Sequence, residues 1–138
     1  MANVGRVAAL GAMATGVLLV GGRGGATEQP DFLAELNRAR QVVAEKAPAK
    51  AFYEGPFNKA FYAQYPSWLN QCTQRTGQAL ADFDVLVSLA QRGEVQAVRF
   101  EPQGKLTKCF GELVRKERFP EPPSAGLTLP ISIRITKP

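Results

Sequence analysis

Cys72 and Cys109 are the only thiols in the chain, and histidine is absent. Without histidine there is no Ser-His-Asp or Cys-His nucleophile pair, no Cys2His2 zinc site and no histidine-held haem. The groups left for proton transfer are carboxylates, and Asp82, Asp84, Glu94 and Glu101 fall on two adjoining segments where a pair could act as acid and base. Acids that alternate with apolar residues on a hairpin are more simply its solvated face. No nucleophile elbow, phosphate-cradling glycine loop or metal-ligand cluster accompanies them. The reading is therefore of a protein without catalytic residues, metal or cofactor, and not an enzyme.

What two lone cysteines do depends on the compartment, and the first 26 residues bear on that. Arg6 precedes an uncharged run from Val7 to Gly22, followed by Gly24-Gly25-Ala26, small residues suited to cleavage before Thr27. The apolar run, Val7 to Val20, is about 14 to 16 residues, short of the roughly 20 that span a bilayer comfortably. A cleaved signal peptide over 1–26 is expected, with an uncleaved amino-terminal anchor as the alternative and a periplasmic or secreted location either way. Its removal takes two of 17 basic residues against 12 acidic ones, so the net charge of +5 overstates any case for nucleic acid. Lys105, Lys108, Arg115, Lys116 and Arg118 read as a solvated face interrupted by Glu112 and Glu117. In an oxidising compartment Cys72 and Cys109 are expected to form a structural disulfide. Two free buried thiols are the alternative.

The mature chain of one small domain's length begins with helical spacing. Asp31 can cap a helix running to about Ala47, with Phe32, Leu36, Ala39 and Val43 on one face. Ala47-Pro48-Ala49-Lys50-Ala51 is expected to break it, and a second stretch from Pro56 to Arg75 to divide at Pro66 into two short helices. After Gly77 the pattern alternates: Phe83, Val85, Val87 and Leu89 oppose Asp82, Asp84 and Ser88, which predicts a half-buried strand. Gln91-Arg92-Gly93-Glu94 makes a hairpin turn into a partner strand over Val95 to Glu101. Leu106, Cys109, Phe110, Leu113 and Val114 then mark an amphipathic helix that stops near Phe119-Pro120. Leu127, Leu129, Ile131, Ile133 and Ile135 alternate with polar residues as a last strand with one wet face. The fold class is α+β, a small three-stranded antiparallel sheet in the order β-β-α-β with amino-terminal helices packed on it. Residues 27–64 read as a helical extension and 65–138 as the α+β domain.

Two surfaces could bind something. Pro130 lacks an amide hydrogen and belongs at a sheet edge or bulge, so Leu129, Ile131, Ser132, Ile133, Arg134 and Ile135 form a candidate edge to which another chain could add. The same proline and Arg134 could equally blunt that edge against aggregation. Alternatively Tyr53, Phe57, Tyr62, Tyr65 and Trp68 could offer an aromatic face to a glycan or small apolar ligand, although a packed helical face explains them more simply.

Several of these residues carry a family resemblance. Tyr65-Pro66, the strand Val85-Leu86-Val87 followed by Arg92-Gly93-Glu94-Val95, the helix beginning near Lys105, Phe119-Pro120 and Pro130-Ile131-Ser132-Ile133 together resemble the carboxy-terminal domain of TonB-like proteins, over about 65–135. TonB-like domains of bacterial motility proteins show a related pattern with cysteines placed like Cys72 and Cys109. The resemblance implies a periplasmic domain that binds a protein partner of the cell envelope, pairing its last strand, here Leu129 to Ile135, with an extended segment. A TonB energy transducer also has a histidine-bearing membrane helix and a long proline-rich spacer, which this sequence lacks, so energy transduction is not expected.

Overall fold

The computed structural model describes residues 30–136. Residues 34–136 form one compact unit, and the signal or anchor expected over 1–26 lies outside the described residues. The elements are α1 (Pro30–Glu45), α2 (Ala47–Phe52), a π-helical turn (Tyr53–Phe57), α3 (Asn58–Thr76), β1 (Phe83–Leu89), β2 (Val95–Glu101), α4 (Lys105–Arg115) and β3 (Leu127–Ile133). The fold is α+β, with an antiparallel sheet in the order β2-β1-β3.

The register follows from which side chains can be buried. Phe83, Val85, Val87 and Leu89 of β1 face one core with Val98 of β2 and Leu129, Ile131 and Ile133 of β3. Against them pack Leu106, Cys109, Phe110 and Val114 from α4 and Phe61, Trp68, Leu69 and Cys72 from α3. A one-residue slip of β1 would put Asp84 and Ser88 into this core. Each large apolar side chain contributes roughly 1.5–3 kcal/mol when fully buried, so a slipped register cannot compete. Gly111 lets α4 lie close on β2, because a Cβ there would stand 2.9 Å from the Phe100 ring.

The hairpin turn forms as expected. Gly93 has φ +92°, its N–H donates to the Ala90 carbonyl at 2.9 Å, and Ala90 N–H donates to Glu94 at 2.7 Å. The Gly93 carbonyl also accepts the Phe119 N–H at 2.9 Å, and Glu94 forms an isolated bridge with Arg118. The chain leaving α4 is thereby pinned to the hairpin.

Five sequence expectations need correction. Ala47–Ala51 does not interrupt the helical path; the break is Lys46 alone, with ψ 114°, and Pro48 sits in the first turn of α2, where its missing N–H costs nothing. Asp31 is not the cap, since α1 already begins at Pro30 and Asp31 lies in its first turn. Pro66 does not divide the second helix: α3 runs through it. The bond lost there is to the Tyr62 carbonyl, on an exposed turn where water can serve, while Phe61, Trp68, Leu69 and Cys72 bury both halves along one line. α4 ends at Arg115, before Phe119-Pro120, because Phe119 is drawn into the core and bonds Gly93. Finally, the sheet's second face is only partly wet: Ser132 is exposed and Thr128 half-buried, as a wet face requires, but the middle of the face is covered. Leu86 and Pro130 are opposite one another and both buried, and α1 lies across that face, with Arg40 on Ser132 and Glu35 paired to Arg99.

Candidate partner-binding edge

β3 is an outer strand of the sheet. In an antiparallel pair, residues alternate between positions bonded to the partner strand and positions whose N–H and C=O point away from it. Pro130 sits opposite Leu86 without interrupting the register, as a residue of the second kind can, since an absent outward N–H costs the β1–β3 ladder nothing. By the same alternation Thr128 and Ser132 turn their backbone groups outward.

At the outward carbonyl of Pro130 the structure brings together the two surfaces the sequence had offered separately. Tyr53, 77 residues earlier in the chain, donates its hydroxyl to this oxygen at 2.5 Å. Tyr53 opens the π-helical turn, in which Pro56 withholds a helical donor, and its ring lies near that of Phe57 with centroids 6.3 Å apart. Burial raises the Tyr53 hydroxyl above its ordinary pKa of 10.0, with the neighbouring Tyr62 raising it further, Arg40 lowering it and Glu54 raising it. The phenol therefore remains a donor at neutral pH.

The side chains of β3 that leave the core are engaged on the α1 face. Ser132 Oγ donates to Asp84 Oδ1 at 2.7 Å and accepts from Arg40 Nη2 at 2.9 Å. Arg134 Nη2 donates to the same Asp84 oxygen at 2.9 Å, and its Nη1 donates to the carbonyls of Ile133 and Phe83. Arg40 also approaches Asp84 at 3.7 Å. β3 ends at Ile133, opposite Phe83 at the start of β1; Arg134 and Ile135 lie beyond the strand rather than in it, and the Ile135 N–H bonds Asp82 Oδ1 at 2.8 Å. Ser88 and Thr128 share a hydroxyl bond of 2.8 Å. An open cleft of about 280 Å³ lies between α1 and the start of β3, with Ala39, Val42 and Leu127 beside Glu35 and Arg38.

Three of the four carboxylates singled out by sequence have polar partners, and the four do not converge on one point. Asp82 and Asp84 hold the end of β3, Glu94 faces Arg118 at 3.5 Å, and Glu101 stands opposite Asp84 in the β1–β2 register with Oε1 buried and unpartnered. Among the described residues no group of acids or cysteines could hold a metal ion, and no helix is long and apolar enough to cross a membrane.

The aromatic residues do not share one open face. Phe57 and Trp68 are buried in the core, 1% and 5% exposed. Tyr65 is half-buried against Phe61, and of the five only Tyr62 is largely exposed, at 48%. Cys72 and Cys109 form a disulfide, with Cα atoms 5.7 Å apart, that joins α3 to α4.

Three relationships had no local signal in the sequence: Tyr53 on Pro130, Arg40 on Ser132, and the Gln78 side chain accepting the Leu106 N–H at 2.9 Å at the start of α4. Each joins residues at least 28 positions apart. Comparisons with known protein families, with curated proteins and with solved structures return no match to this chain.

Proposed function

We propose that this protein is an exported, non-catalytic binding module that takes up an extended segment of a cell-envelope protein alongside β3. The observation that carries the reading is the place of β3 at the rim of the sheet, with Thr128 and Ser132 turning backbone donors and acceptors away from β1. The resemblance of the β-β-α-β segment to TonB-like carboxy-terminal domains supports it, since those pair their last strand with a partner. The Cys72–Cys109 disulfide supports an oxidising compartment. The aromatic-ligand alternative lacks comparable support, because Phe57 and Trp68 are enclosed.

The test places a photoreactive residue at Thr136, just beyond the strand, and irradiates intact cells. One discrete adduct in the envelope fraction, lost when Ser132→Pro removes an outward donor, is expected. Trp68 fluorescence confirms that the variant is folded. An adduct that survives Ser132→Pro unchanged in a folded protein, or full-length chain in the cytosol with both thiols open to alkylation, overturns the reading.

A further inference from the structure

Beyond the binding edge itself, the fold carries a cleft beside α1, a basic side of α4 and a contact between Tyr53 and β3. The first two offer nothing that selects an occupant. The third is specific, because the Pro130 carbonyl is the outward acceptor at the middle of the edge, between Thr128 and Ser132.

We propose that Tyr53 is a latch on the β3 edge, an internal contact that keeps the strand closed and must swing away before an extended segment can pair along its full length. The inference rests on the strand-addition reading and specifies how that site is controlled. An incoming strand pairs with outward groups at every second residue, which on β3 are those of Thr128, Pro130 and Ser132. Pro130 has no N–H to offer, and its carbonyl is taken by the Tyr53 hydroxyl at 2.5 Å. With the latch closed, the middle of the edge presents neither a free donor nor a free acceptor. Only the separate flanks at Thr128 and Ser132 remain, each too short to hold a strand.

The latch is built to open. Tyr53 stands at the first position of a π-helical turn, a wider and less favourable winding than the α-helices on either side. Within that turn Pro56 withholds a donor, and Gly55 is exposed with no neighbour within 4 Å of where its Cβ would be. Movement of the turn therefore displaces no packed side chain at Gly55. Phe52 and Phe57, which bracket Tyr53, are buried and anchor the segment on both sides of it. The hydroxyl is protonated at neutral pH, far below its ordinary pKa of 10.0, and burial raises that value further, so release is a conformational step rather than a loss of the donor. A closed edge in the unbound protein also resists pairing between copies.

The experiment uses Tyr53→Phe, which keeps the ring beside Phe57 and removes only the donor. The probe is a capped synthetic peptide with the β1 sequence Phe83–Leu89, the native antiparallel partner of β3. Binding is followed by isothermal titration, and the edge is mapped by amide shifts at Thr128 and Ser132. Tyr53→Phe is expected to bind roughly threefold to tenfold more tightly than the parent, the worth of one neutral hydrogen bond released before binding. Equal affinity of the two proteins, with shifts at Thr128 and Ser132 in both, overturns the latch and leaves strand addition standing. Absence of binding by either protein, with both folded by Trp68 fluorescence, overturns the strand-addition reading and the latch with it.

Discussion

Cys72, in the last turns of α3, is bonded to Cys109, in the first half of α4, and both sulfurs lie on the buried sides of their helices. The bond closes a loop of 37 residues that contains β1, β2 and the hairpin between them. On the chain-entropy estimate a loop of that length stabilises the folded state by about 3–4 kcal/mol. The pair Cys72→Ser and Cys109→Ser is expected to lose stability of that order and to become insensitive to reductant. Urea unfolding with and without dithiothreitol measures both effects, and an unchanged midpoint in the double variant contradicts a bracing role.

Gly93 combines two demands that no other residue meets. Its φ of +92° disfavours any side chain, and a Cβ there would overlap the Phe119 carbonyl. Gly93→Ala is expected to cost about 2–4 kcal/mol, more than the usual penalty of a glycine turn, because the hairpin and the segment after α4 must separate. The check is a thermal melt of the variant beside Gly55→Ala, a site with open space, which should melt near the parent.

Phe57 is only 1% exposed, with ring centroids 5.0 Å from Phe119 and 5.8 Å from Phe61. Phe57→Ala is expected to destabilise by about 3–5 kcal/mol through the cavity it leaves. Tyr62→Ala, at an exposed ring, should cost less than about 1 kcal/mol. Comparable losses at the two positions in denaturant titrations would mean that the aromatic residues do not pack as described.

Tyr53 makes stability depend on pH at the alkaline end. Burial raises its pKa in the folded state above the ordinary 10.0, so the folded protein favours the protonated phenol. Its contribution is complete below pH 10.0 and fades as pH rises through the folded-state value. Tyr53→Phe removes this dependence along with the hydrogen bond to Pro130, at a cost of about 0.5–1.5 kcal/mol at neutral pH. The gap between parent and variant in urea midpoint should therefore narrow in buffers above pH 10. A gap that widens there reverses the sign and refutes the assignment.

Much of the fold was legible because its signals are local. The alternation Phe83-Val85-Val87-Leu89 needs only a period of two and one apolar side. Gly93 announces its turn by the positive φ that glycine alone takes easily. The spacing of Leu106, Cys109, Phe110 and Val114 marks a helix with one buried stripe. Pro66 was misleading because local propensity favours a break, whereas burial of Phe61 and Trp68 on both sides of it favours one axis, and burial is the larger energy. The wet face assigned to the last strand holds at Ser132 but not at Pro130, for a related reason. Leu86 and Pro130 are single apolar residues among polar ones, and nothing near them in sequence indicates that α1 returns to cover them.

The sequence by itself determined the three strands, the hairpin turn at Gly93, the amphipathic helix from Leu106 to Val114 and the two residues able to form a disulfide, because each depends on side-chain type and spacing over a few positions. The tertiary structure alone decided that α1 covers the middle of the second face of the sheet, that Ser132 and Arg134 converge on Asp84, and that Tyr53 meets the Pro130 carbonyl. These are meetings of groups 48 to 92 positions apart. A hydroxyl, a carboxylate or a carbonyl has many possible partners in an extended chain, and only the packed fold leaves it one within hydrogen-bonding distance.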